Sequence, residues 1–79
     1  MKKFVISMVG NDRVMVEALT AREAARIARK NGRNLLKYNG VNSVQFVWNE
    51  NETEMLYMIS TVRVKNRMVS EITNCSHSK

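Results

Sequence analysis

The chain has 79 residues and no proline, a length at which folding removes only about 60–65 % of the unfolded chain's surface from water, so the expectation is one domain with a small core. Hydrophobic residues make up 44 % of it, which excludes a disordered polyelectrolyte, and a formal charge of +6 points to an acidic partner: nucleic acid, an anionic membrane surface or an acidic patch on a protein. A single cysteine, Cys75, excludes an internal disulfide framework and suits a reducing, cytoplasmic setting.

The first apolar run, residues 3–9, is cut short by Gly10-Asn11-Asp12-Arg13 with no small-residue cleavage site after it. It reads as a strand, not as a signal peptide or membrane span. A second β-branched run at 14–19 completes a hairpin across that turn. Thr20 stands three residues before Glu23, the spacing at which the two side chains satisfy free N–H groups at a helix start, so a helix is expected from Ala21.

The stop is less sharply marked, because Asn31-Gly32 is a common helix terminator. At about 100° per residue, however, Ala24, Ile27, Ala28, Asn31, Leu35 and Tyr38 fall on one side of an unbroken helix. Arg22, Arg26, Arg29, Lys30, Arg33 and Lys37 fall on the other. Two stripes in phase across Gly32 favour one helix ending near Asn39-Gly40; a break at Gly32 is the alternative.

Residues 43–48 alternate, with Val44, Phe46 and Trp48 on one face and Ser43, Gln45 and Val47 on the other, and read as a third strand. Residues 49–54 form a polar, acidic connection, 55–65 a long strand, and 68–72 a short strand that pairs back on it. Residues 4–20 and 57–73 align without a gap, matching at six positions; hairpins share a restricted vocabulary, so chance similarity is the preferred explanation and a duplicated hairpin the alternative. The expected fold is α+β in the order ββαβββ, one helix on one face of an antiparallel sheet, with a domain over residues 1–74 and a polar tail over 75–79.

Catalytic chemistry has few candidates. His77, the single histidine, lies with Cys75 in the tail, and Glu50, Glu52 and Glu54 alternate in a turn that lacks the glycine and distal glutamate of a calcium loop. Three scattered glycines exclude a phosphate-cradling loop of known spacing. The expectation is a protein that is not an enzyme and takes no metal or cofactor.

The helix over residues 21–38 therefore carries the functional reading. Its six cations are interrupted by one acid, Glu23, and four are arginine, which forms bidentate contacts with phosphate or carboxylate and stacks on bases. A membrane surface is excluded because Ala24, Ala28 and Asn31 are too small or polar to insert among acyl chains. For nucleic acid, Arg22, Arg26, Arg29, Lys30, Arg33 and Lys37 would follow a phosphate backbone, Asn34 would border the face, and Arg63, Lys65 and Arg67 near the last turn would extend it. Phe46, Trp48 and Tyr57 are read as core side chains in preference to a base-stacking platform. The competing reading is a protein-binding inhibitor whose arginines meet an acidic or RNA-lined groove without binding nucleic acid itself. Edge strands in so small a sheet also allow a homodimer.

A short basic chain that starts MKKFVISM and runs through VEALTAREAARIARK into an arginine-rich helix, residues 1–38, resembles the small accessory proteins of tailed phages, including phage-encoded antitoxins and anti-CRISPR proteins. That resemblance implies a cytoplasmic, non-enzymatic inhibitor of a host defence factor. A basic, RNA-binding one would suit an endoribonuclease toxin.

Overall fold

The computed structural model describes residues 1–8, 12–38 and 42–75, with the side chains of 34–38 outside that description. The elements are β1 (Lys2–Met8), β2 (Arg13–Ala18), α1 (Ala21–Tyr38), β3 (Asn42–Asn49), β4 (Met55–Val64) and β5 (Arg67–Asn74). They form one antiparallel five-stranded sheet in the order β2-β1-β3-β4-β5 with α1 on one face, the α+β, ββαβββ arrangement read from the sequence.

The helix starts where the Thr20 signal put it. Thr20 Oγ1 accepts from the Glu23 N–H at 3.2 Å and the Thr20 carbonyl accepts from Ala24 N–H at 3.1 Å, which satisfies donors that the first helical turn leaves free. The helix then runs unbroken through Gly32 to Tyr38. Asn39-Gly40, Gly10-Asn11, His77 and the tail from Ser76 lie outside the described residues.

Each strand has one face toward the helix, set by the register. On that side lie Phe4 and Ile6 of β1, Val16 and Ala18 of β2, Ser43, Gln45 and Val47 of β3, Tyr57, Ile59 and Thr61 of β4, and Ser70 and Ile72 of β5. Ala24, Ala25 and Ala28 of α1 are fully buried against them. Alanine and glycine let the helix backbone approach closely: a Cβ added at Gly32 would stand 3.3 Å from Gln45 Oε1 and Thr61 Oγ1 and 3.4 Å from Ser43 Oγ. Directly beneath Gly32 the sheet presents three polar side chains, Ser43, Gln45 and Thr61.

The packing of α1 on the sheet corrects two sequence expectations. The buried stripe of α1 is Ala24, Ala25, Ala28 and Gly32, turned by about 60° from the one read at 100° per residue; Ile27 and Asn31 are only half-buried at its margin. The larger side chains of β3, Val44, Phe46 and Trp48, occupy the face away from the helix, so of the three aromatic residues read as core only Tyr57 packs against it. The side chains of Leu35 and Tyr38 lie outside the described residues.

The two terminal hairpins differ in pairing. Ile6 faces Val14 across β1–β2, whereas its sequence counterpart Ile59 faces Ile72, so the aligned residues Met15 and Met68 fall on opposite faces of the sheet. The similarity of the two segments therefore does not extend to their geometry. In the 49–54 connection the Asn49 side chain binds the Thr53 hydroxyl at 2.7 Å and accepts from the Thr53 and Glu54 N–H groups at 2.8 and 3.1 Å. Glu52 takes a φ of 56° at its tip. Cys75 N–H donates to the Leu56 carbonyl at 2.9 Å, which ties the start of the polar C-terminal segment to the sheet.

Candidate nucleic-acid interface

Because α1 lies flat over β3 and β4 with its small residues inward, the opposite helix surface is presented outward from Arg22 to Arg33. Arg22, Arg26, Lys30 and Arg33 are exposed there, and Arg29 is half-buried at the margin between the basic face and the buried stripe. From Arg22 to Arg33 the helix rises about 16 Å, so four exposed cations recur at roughly one per turn. None of them is paired with a carboxylate among the described residues; an ion pair from Arg13 Nε to Glu52 Oε2 at 2.7 Å lies on the β2 side of the sheet.

One of the four is anchored. Arg33 Nε donates to Ser70 Oγ at 3.4 Å, and Ser70 shares a hydroxyl–hydroxyl bond of 3.0 Å with buried Thr61. A polar line thus runs from the basic face down to the sheet floor, where Gln45, 1 % exposed, has no hydrogen-bond partner among the described residues for either its Oε1 or its Nε2. Sequence reasoning missed this line; the signal for it was the alternation that placed Ser43 and Gln45 in phase with Val47.

The three basic residues of the last turn are not brought together. Arg63 lies one row beyond Thr61 on the helix-side face, bordering the corner where Arg33 reaches β5. Lys65 sits at the hairpin tip with a φ of 57°. Arg67 pairs with Val64 and points to the uncovered face, so it does not extend the helix's basic surface as expected. The side chains of Asn34 and Lys37 lie outside the described residues, though both positions belong to the helix.

Other chemistry-bearing residues are engaged locally. Glu52 pairs with Arg13, and Cys75 Sγ approaches the Thr73 carbonyl at 3.7 Å. Among the described residues no three His, Cys, Asp or Glu side chains converge as a metal site would require, and no helix is long and apolar enough to cross a membrane. No protein-family description matches this chain, and neither a curated protein nor a solved structure matches it significantly.

Proposed function

We propose that the protein binds nucleic acid, RNA in preference to DNA, through the outer face of α1, and that it does so without catalysing a reaction. The observation that carries this reading is the exposed row Arg22, Arg26, Lys30 and Arg33 with no carboxylate partner among the described residues. A face that only keeps a protein soluble mixes signs; here the acids lie elsewhere, at Asp12 before β2, on β2, on β5 and in the 49–54 turn, apart from Glu23 at the helix start.

The preference for RNA rests on shape. A helix backed flat by five strands at about 4.8 Å spacing stands on a platform about 24 Å wide, twice the roughly 12 Å width of the DNA major groove. Its cations reach phosphates at the rim more readily than bases at the floor, which suits RNA recognised by backbone and shape. In the host-defence setting that the resemblance to phage accessory proteins implies, such a domain acts as an inhibitor or antitoxin by occupying the RNA of an RNA-processing factor.

The test is affinity for single-stranded RNA, double-stranded RNA and duplex DNA of equal length over a salt series. Four phosphate contacts give a slope of log K against log salt of about −3 to −4, and the triple variant Arg26→Gln, Lys30→Gln, Arg33→Gln should flatten it by about 2 to 3. Equal binding of that variant removes the helix from the function. No binding to any of the three at low salt replaces this reading with an acidic protein target.

A further inference from the structure

The sheet face turned away from α1 carries a row-by-row array of apolar side chains, with Ser7 and Ser60 set among them, that the proposed nucleic-acid function leaves unused. Register places its side chains in rows: Met15, Val5, Trp48 and Met55 in one; Phe46 and Met58 in the next; then Val44, the pair Val62 and Val69, and Val64 at the far end. Met15, Val62, Val64 and Val69 are 37–55 % exposed. The Trp48 indole is held in place by its Nε1–H bond to Ser7 Oγ at 2.8 Å.

We infer that this face is the interface of a homodimer in which two copies stack their sheets face to face, giving four layers in the order helix, sheet, sheet, helix. Three observations select a second copy as the occupant. The first is area. Five strands of 6 to 10 residues at about 4.8 Å spacing and about 3.4 Å per residue cover roughly 600 Å² in projection, and the relief of the side chains raises the accessible area toward the ~800 Å² per partner of a standard interface.

The second is charge. The rim of this face holds Lys3, Arg13 and Arg67 with Glu17 and Glu71, a mixture of signs that tolerates its own copy, and Arg13 is already neutralised by Glu52. A nucleic acid would meet two carboxylates here and none on the outer side of α1 beyond Glu23. The third is the position of the remaining charge. With sheets about 10 Å apart and each helix about 10 Å outside its sheet, the two basic stripes stand about 30 Å from one another, several Debye lengths at physiological salt. The charge of +6 per chain thus opposes this association only weakly, and the dimer displays two basic faces on opposite outer sides.

The experiment is sedimentation equilibrium of the full chain from about 1 to 200 µM, with emission of the single tryptophan followed over the same range and circular dichroism to check folding. The wild type should approach twice the 9.1 kDa chain mass, with Trp48 emission shifting to the blue as the dimer fills. Val69→Lys and, separately, Met15→Lys alter side chains already half-exposed in the single chain, so each should stay folded while weakening association at least about tenfold. A wild type that is monomeric at 200 µM overturns the inference, as does a dimer that survives both substitutions, which would be paired through strand edges. Quenching of Trp48 by single-stranded RNA that is lost in Val69→Lys would also overturn it, in favour of a base-stacking face.

Discussion

Gln45→Met replaces a buried carboxamide by a side chain of similar length and flexibility. Gln45 is 1 % exposed, pairs in register with Ile59, and leaves both amide atoms without a partner among the described residues, while its neighbours Thr61 and Ser70 satisfy one another. The rotamer entropy lost on burial is similar for Gln and Met, so that term nearly cancels. What remains is the desolvation cost of an unpaired polar group, about 1–3 kcal/mol, which the thioether does not incur. The variant should gain about 1–3 kcal/mol, and since a domain of this size shifts by about 4–8 °C per kcal/mol, its Tm should rise by about 5–20 °C. Urea unfolding at matched protein concentration, followed by Trp48 fluorescence and by circular dichroism, measures this as a higher midpoint at unchanged m-value. A lower midpoint would refute the reasoning, because it would mean that the carboxamide makes bonds worth more than its burial costs.

The same corner makes Gly32→Ala destabilising. Helix propensity favours alanine by about 1 kcal/mol, but the new methyl meets three sheet oxygens at 3.3–3.4 Å, so the helix must lift and loosen Ala24, Ala25 and Ala28; a net loss of about 1 kcal/mol in urea unfolding is expected. Thr20→Ala removes the cap to the Glu23 N–H and should lower the same midpoint by the equivalent of about 1 kcal/mol. Ala25→Asp places a charge at a fully buried site and should abolish the cooperative thermal transition, whereas Ile27→Asp, at a half-buried margin, should lower the Tm and leave the fold; the opposite order would move the buried stripe back to the position read from helical periodicity alone.

Signals that depend on local chemistry were readable in the chain. Thr20 and Glu23 mark the helix start, the β-branched runs mark every strand, and the two stripes in phase across Gly32 show that the helix continues. What sequence reading assigned wrongly were the faces. Strand periodicity separates Val44, Phe46 and Trp48 from Ser43, Gln45 and Val47 but does not say which set the helix covers, and hydrophobicity favours the aromatic set. The helix covers the Ser43, Gln45 and Val47 set, a tertiary outcome that strand periodicity does not carry. Arg67 was misplaced for a related reason: proximity in sequence to Arg63 says nothing about side of the sheet, and an even separation that passes through a tight turn reverses it. For the candidate site, exposure of the four helix cations follows from the amphipathic pattern, whereas the tether from Arg33 to Ser70 joins residues 37 apart and has no local signature.

The ladder between β1 and β3 has a kinetic consequence. The β1–β2 hairpin and the β3–β4–β5 meander each close through short connections, but they are joined to one another by the five pairs from Phe4–Asn49 to Met8–Gln45. Closing the loop that contains α1 costs about 3 kcal/mol of chain entropy before any of those pairs forms. The two halves can therefore gain structure separately, while the rate of folding is governed by the moment at which the first strand finds the third. Until then the edge of β3 that β1 will occupy is open, and a nascent or stressed chain is most vulnerable to pairing with a neighbour along that central seam.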